Sequence, residues 1–309
     1  MGGHDPRPGS SPGRHRRVTR GSTRRYPRPV DTVSMATSQV LATADARTAA
    51  PARTPAAPRY SLLVTRDDAL VRAAQRLRHD VFAVEQGARL PPGPDTDAGR
   101  DADAFDAFCD HLVVREDASG AVVGTYRMLT PEGATRAGGL YSDTEFDLSA
   151  LDDLRPRTVE VGRSCVHPDH RSGTVLSLVW AGIGRYLLLT GHRWLVGCAS
   201  VPLTPDGALP GAVWSLVAAR HLTGVDRRVT PHHPARVGDT RADDASAGPA
   251  PAARPRELPP LLRGYLRLGA RIGGPPALDP DFGVADLFVL LDHTAIDPRW
   301  RRHLLGEDG

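Results

Sequence analysis

From Tyr60 onward the chain alternates short β-type runs with longer segments whose apolar residues recur every three or four positions, the two periods that distinguish strands from helices. Tyr60 to Thr65 reads as a strand. Asp67 to Phe82 follows as a helix, with Asp67 suited to the N-cap and Leu70, Val71, Ala74, Leu77 and Val81 along one face. The Pro-Gly run from Leu90 to Gly99 breaks it. His111 to Arg115 and Ala121 to Leu129 are strand-like, and Glu116-Asp-Ala-Ser-Gly120 between them reads as a hairpin turn. After a long excursion containing Tyr141 to Leu154 comes a β-branched strand from Thr158 to Val166. Leu176 to Thr190 is apolar nearly all round, which marks a buried helix. Trp194 to Val201 is a buried strand, Gly211 to His221 a further helix, Pro259 to Leu268 another, and Ala285 to Leu291 an apolar strand.

Two stretches show no such period. Residues 1–59, rich in Arg, Ser, Thr, Pro and Ala, read as a disordered tail. No apolar stretch follows its Arg pairs, so a secretory signal is not expected. The preferred reading is a start codon placed too early, with Met35 or a nearby codon opening the protein; a basic arm attracted to anionic lipid is the second. Residues 224–256 read as a flexible insertion between a core at 60–223 and a C-terminal part of the same domain at 257–309. His232 and His233 lie in this acid-poor stretch, and a metal site is not expected there.

Composition refines this picture. All 39 Lys+Arg cations among the 309 residues are Arg, and Pro and Gly number 28 and 31, above the usual share and in keeping with long irregular stretches. The formal charge of +3 hides an asymmetry, because residues 1–60 hold eleven Arg against Asp5, Asp31 and Asp45. The remainder is mildly acidic, so a nucleic-acid groove is not expected and the basic balance belongs to the tail. Cys109, Cys165 and Cys198 are spaced too widely for zinc pairs and suit a reducing cytoplasm. No apolar window reaches the roughly 18 residues a membrane span requires.

Four spacings carry candidate chemistry. Arg78 and Phe82 share a helix face; taken alone, they read as a solvated cation and a core aromatic. Asp101, Asp103, Asp106 and Asp110 form an acidic cluster, and one helical turn puts Asp103 and Asp106 together as a receptor for a substrate ammonium, unless the segment is simply a solvated loop. Calcium is less suited, since the segment lacks the Gly and terminal Glu of an EF-hand. Arg127 interrupts an apolar strand, and a buried guanidinium requires an anionic partner. Glu160 and Arg163 interrupt another strand three residues apart; one bulged residue, placed at Gly162, brings both to the same side, while a structural ion pair is the plainer alternative. After this strand, His167 to Leu176 forms a turn feeding a helix N-terminus, where free N–H groups suit an anion.

The strand, the Arg171-Ser-Gly173 turn and the buried helix resemble the acyl-thioester cradle of the GCN5-related N-acetyltransferase (GNAT) superfamily. Thr174, Val175 and Leu176 replace the later small residues of that family's pyrophosphate loop, which favours the single phosphodiester of acyl carrier protein over CoA. Arg78…Phe82, Asp103…Asp106, Arg127, Phe146 and Glu160…Arg163 follow in order the pattern of acyl-homoserine-lactone synthases. The phrases CDHLVV, VVGTYRML, YSDTEFDLSAL, VEVGRSCVHPDHR, GCASV and LPPLLRGYLRLGARIGGPPALDPDFGVADLFVLL resemble more closely the ornithine-lipid N-acyltransferases, also labelled hemolysin-like, across about residues 60–202 and 257–292.

This resemblance implies an α/β (α+β) fold of GNAT type, three layers with a central mixed, mostly antiparallel twisted sheet flanked by helices. It implies an N-acyltransferase that moves a 3-hydroxyacyl chain from acyl carrier protein, or acyl-CoA, to the α-amine of ornithine or another amino acid, with no bound cofactor and no metal. Glu160 is then the candidate base and Arg163 its partner at the catalytic centre. Arg78, Phe82, Asp103, Asp106, Arg127 and Phe146 are substrate-binding candidates, with Asp103 and Asp106 for ammonium groups and Arg78 and Arg127 either binding carboxylate or ordering the acidic cluster; Ser164, Cys165, Val166, Arg171 and Gly173 are candidates for the thioester and phosphopantetheine. Direct attack is expected over an acyl-Cys165 intermediate, since no base for that thiol is identifiable. The alternatives are an acetyl-CoA-dependent acetyltransferase acting on a small amine and, from another class, a non-catalytic membrane- or nucleic-acid-binding protein using the Arg-rich tail. The expected location is the cytoplasm, with peripheral contact to the inner face of the plasma membrane.

Overall fold

Side-chain alternation along the strands divides the molecule into two apolar layers around one sheet. The computed structural model describes residues 38–45, 58–171, 173–205, 207–236 and 254–299. In chain order its elements are β1 (Ser38–Asp45), β2 (Arg59–Thr65), α1 (Asp68–His79), α2 (Pro94–Asp97), β3 (Asp110–Glu116), β4 (Val122–Leu129), α3 (Pro131–Ala137), β5 (Phe146–Asp147), β6 (Thr158–Val166), α4 (Thr174–Thr190), β7 (Trp194–Pro202), α5 (Ala208–Arg220), β8 (Thr230–Pro231), α6 (Pro260–Arg267), β9 (Arg271–Ile272), β10 (Ala277–Asp279) and β11 (Val284–Asp292). The main sheet runs β1-β2-β3-β4-β6-β7-β11-β10, with β9 also on β11. Neighbours are antiparallel except β6 and β7, whose parallel pairing requires the crossover helix α4.

Leu62, Val64, Leu112 and Val114 point to one face, where they meet Val175, Leu178, Val179, Ile183, Tyr186 and Leu187 of α4, with α5 and α6 completing the layer. Leu63 and Val113, one position out of phase, face Ala74 of α1 on the other side. The approach of α4 to β2 is set by Gly182, where an added Cβ would lie 2.6 Å from Leu62 Cδ2. Asp67 caps α1 as its composition predicts, accepting from the N–H groups of Ala69 and Leu70. Where the sequence suggests one helix to Phe82, the backbone changes at Asp80 to a π-helical turn through Glu85. Among the described residues no helix is long and apolar enough to cross a membrane.

Two organisational expectations are corrected. Ser38–Asp45, assigned by composition to the disordered tail, is an edge strand antiparallel to β2, and Leu41, Ala42 and Ala44 pack on the core. Its order comes from the open edge of β2, a tertiary partner that no local period reveals. Residues 1–37 and 46–57 lie outside the described residues. Likewise, the supposed insertion is structured through Arg236: β8 pairs with β5, and the Ala235 and Leu278 N–H groups donate to Pro276 and His233 carbonyls. Residues 237–253 lie outside the described residues.

The C-terminal block is built into the sheet. All nine residues of β11 pair with β7, from Val284 opposite Pro202 to Asp292 opposite Trp194. The hydroxyls of Tyr126 on β4 and Tyr265 on α6 hydrogen-bond to each other, and Trp180 of α4 stacks edge-on against Tyr265.

Candidate active site

β6 and β7 pair only at Thr158–Trp194, Val159–Leu195 and Glu160–Val196, then separate. On its other edge β6 carries a bulge. Arg127 pairs with Gly162 and Thr125 with Cys165, so Arg163 and Ser164 together oppose Tyr126. The bulge lies one residue later than expected, at Arg163, which adopts φ 52°, a left-handed conformation that side chains seldom take. Its effect is the expected one: Glu160 and Arg163, three apart in sequence, both face one cavity of about 790 Å³. Phe82, Tyr126, Arg127, Tyr141, Ser164 and Cys198 share its wall, and Leu261, Leu262 and Phe282 give it apolar surface.

Glu160 is 4% exposed and oriented by donors on the turn before β5. The Tyr141 N–H donates to Oε2 at 2.5 Å, and the Ser142 N–H and hydroxyl donate to Oε1 at 2.8 and 2.5 Å. Burial pushes its pKa up; these hydrogen bonds and Arg127 only partly oppose that. Arg163 reaches Asp101 and Asp103 at 3.4 and 3.3 Å and lies 4.8 Å from the ring centroids of both Tyr141 and Phe282.

The acidic cluster is occupied by arginines. Arg78 has no solvent exposure; its guanidinium donates to both Asp106 oxygens and to the carboxylate and carbonyl of Asp101. Arg127 donates to Asp103 at 2.5 Å and to Asp106 at 3.4 Å. Burial alone would raise the Asp106 carboxyl, but Arg78 and Arg127 hold it well below the usual range; Arg127 and Arg163 likewise lower Asp103 against burial. Both oxygens of Asp106 are taken up by guanidinium donors, whereas Asp103 Oδ2 lies 3.3 Å from Arg163 and meets no donor in hydrogen-bonding geometry. Arg78 braces α1 to this loop and does not line the cavity, which places it where it orders the acidic cluster.

Phe146 is also placed elsewhere: it is buried against Phe288 in a second core, because β5 turns its side chain inward to meet β11. Cys165 packs with Leu77, Val81 and Phe82, and burial raises its thiol pKa. Val166 pairs with Gly124 at the strand end. Arg171 forms a two-pronged ion pair with Glu85 at 2.7 Å, and Gly173, at φ 90°, is the N-cap of α4.

The sequence reading missed a group on the same cavity. Asp279 and Asp286 line it, and with Glu145 they form a set whose ligand oxygens lie within 4.8 Å of one another. The available signal was Asp286 itself, an acid inside the apolar strand VADLFVLL, the same anomaly that marks Arg127 and Glu160.

A central sheet whose one parallel pair splays beside a bulge, with a helix N-terminus after the bulged strand, defines the GNAT acyltransferase class. An acetyltransferase (GNAT) domain model matches residues 77–181, from the end of α1 into α4. The chain is 37% identical over 253 residues to the L-ornithine N(alpha)-acyltransferase of Brucella abortus, covering 75% of this chain and 84% of that protein. It is 34% identical over 268 residues to the enzyme of the same name from Rhizobium meliloti, covering 80% and 84%. It belongs to the L-ornithine N(alpha)-acyltransferase family, and it is an acyltransferase. The solved acyl-homoserine lactone synthase LasI aligns at 13% identity and a TM-score of 0.45 over 80% of this chain and 95% of its own.

Proposed function

We propose that this cavity transfers a 3-hydroxyacyl group from acyl carrier protein to the α-amine of ornithine, giving a lyso-ornithine lipid. The observation that carries the reading is Glu160, buried, oriented by three donors and facing the cavity where β6 and β7 part. An α-ammonium must lose a proton before it attacks, and a carboxylate with a raised pKa is better matched to accept it. The amine nitrogen then bonds to the thioester carbon while the C–S bond breaks, and the thiolate leaves with the pantetheine arm. Backbone N–H groups of the bulge at Arg163 to Cys165 supply the oxyanion donors. Arg163 takes the acceptor carboxylate, to which its guanidinium is matched in charge and shape.

The donor enters toward the α4 N-terminus, where Gly173 opens the helix and Arg171 stands beside it, suited to one phosphodiester. Transfer is direct, because the Cys165 thiol is buried, raised in pKa and off the cavity wall. Three free thiols suit the cytoplasm, and an amphiphilic product suits work at the inner face of the membrane. The test is to give the purified chain L-ornithine with 3-hydroxyacyl-acyl carrier protein, the corresponding acyl-CoA or acetyl-CoA, and identify products by mass spectrometry. Hydroxyacyl-ornithine formed from the carrier-protein donor is the expected result. Acetylated ornithine formed only from acetyl-CoA would overturn it.

A further inference from the structure

Arg127 and Arg163 on the cavity wall are paired with carboxylates, whereas Asp279 and Asp286 on the same wall, and Glu145 next to them, form no ion pair among the described residues. Asp286 is 3% exposed, and its Oδ1 meets no donor. Neither oxygen of Glu145 meets one in hydrogen-bonding geometry, although Tyr141 and Cys198 lie close enough to temper its charge. Asp279 Oδ1 accepts only from the N–H groups of its own turn, at Asp281 and Phe282. Among the described residues, no Arg or His forms an ion pair with any of the three.

The fold deliberately converges these groups. Ala277 pairs with Asp286 and Asp279 with Val284, so Asp279 and Asp286 are diagonal neighbours on one sheet face. Glu145 is held against them through its carbonyl, which accepts from the His232 N–H, and through the pairing of Phe146 with Pro231. Burial, then the charges of Asp286 and Asp279, raise the pKa of Glu145; burial and Asp279 raise that of Asp286, and the nearby Ser200 and Glu145 side chains, as hydrogen-bonding neighbours, only partly oppose this. Such a cluster is unfavourable when empty and becomes favourable when a cation enters. Its cavity already presents Arg163 for a carboxylate and Glu160 for an amine that must become neutral. What remains unmatched is a positive charge that persists through the reaction.

We propose that Glu145, Asp279 and Asp286 form the subsite for the side-chain ammonium of a diamino-acid acceptor, and so select it over amino acids with uncharged side chains. This rests on the ornithine reading above. Ornithine carries three charged groups, and the cavity then holds a counterpart for each. An acceptor without the side-chain amine leaves buried carboxylates uncompensated, which is the strong form of discrimination.

The experiment compares L-ornithine with L-norvaline, the same carbon chain without the δ-amine, using 3-hydroxyacyl-acyl carrier protein and the full chain as wild type, Asp286→Asn and Glu145→Gln. The wild type is expected to favour ornithine by about 100-fold or more in kcat/KM, and each variant to lower that ratio by at least about tenfold. Both substitutions are near-isosteric and relieve repulsion, so thermal midpoints at or above wild type will show that the variants are folded. If one fails to fold, the other carries the test. A ratio unchanged in both variants overturns the subsite while leaving ornithine as acceptor. A wild type indifferent between the two amino acids overturns the ornithine reading itself, and the subsite with it. If EDTA abolishes wild-type turnover and Mg²⁺ or Ca²⁺ restores it, the cluster holds a divalent cation and the inference is overturned.

Discussion

Arg78 and Asp106 form a two-pronged ion pair, 2.7 Å on each carboxylate oxygen, with the arginine wholly withdrawn from solvent. Removing one partner strands a buried charge. Arg78→Met is therefore expected to lower stability by about 3–5 kcal/mol, read as a shift in the denaturant midpoint. Equal stability would show the pair to be dispensable.

The same network fixes the response to acid. Asp103 and Asp106 have folded pKa values below their unfolded ones, so their contribution is fully present above the unfolded value near about 3.9 and is lost as pH falls through the folded values. Denaturant midpoints followed downward from pH 5 should fall steeply below about pH 4. Asp106→Asn should start lower and fall less steeply over that range; a parallel decline would locate the acid sensitivity elsewhere.

Glu160→Gln should cut kcat by about 10²–10⁴-fold while moving the KM for ornithine by much less, as loss of a proton acceptor requires. Because the amide NH₂ then faces an N–H or hydroxyl donor, stability should drop by about 1–3 kcal/mol. Glu160→Asp separates the two effects: it keeps a titratable carboxylate and should recover part of the turnover. Full activity in folded Glu160→Gln protein would reduce Glu160 to a brace for the Tyr141–Ser142 turn.

Cys165→Ser should retain turnover within about threefold, since direct transfer needs no thiolate. No acyl-protein should be trapped when donor is supplied without acceptor and the chain is weighed by mass spectrometry. Abolished turnover in folded protein, or a stoichiometric acyl adduct, would argue for a covalent intermediate.

Two truncations probe the N-terminal strand. Deleting residues 1–34 should leave both activity and melting temperature unchanged. Deleting residues 1–45 also removes β1 and uncovers the β2 edge, which should lower the melting temperature by several degrees, as expected for about 1–2 kcal/mol in a domain of this size. Identical behaviour of the two would mean that β1 adds nothing to stability.

Much of the sheet was legible because it rests on local alternation: β6 occupies the residues the sequence suggests, and α4 and β7 differ from expectation only at their ends. A bulge was suggested by Glu160 and Arg163, three apart on one strand, although it lies at Arg163 and not at Gly162. Other features depend on distant partners. β1 needs the edge of β2, and β8 needs β5, a pairing across 80-odd residues of sequence. Asp103 and Asp106 were legible as an acidic cluster, and Arg78 and Arg127 sit on it, one of the two roles expected of them; the convergence of Glu145, Asp279 and Asp286 from distant segments needs the fold.

The nine-pair ladder between β7 and β11, reinforced by the bond between Tyr126 and Tyr265, joins segments that flank residues 237–253 in the chain. Covalent continuity through that segment is thus not what keeps the C-terminal strand in place. A polypeptide ending near residue 240 and a second one beginning near residue 250, produced together in one cell, should find each other and reconstitute the whole sheet. Chain breaks or inserted domains at this point would then be tolerated where the same changes inside β6 or α4 would not.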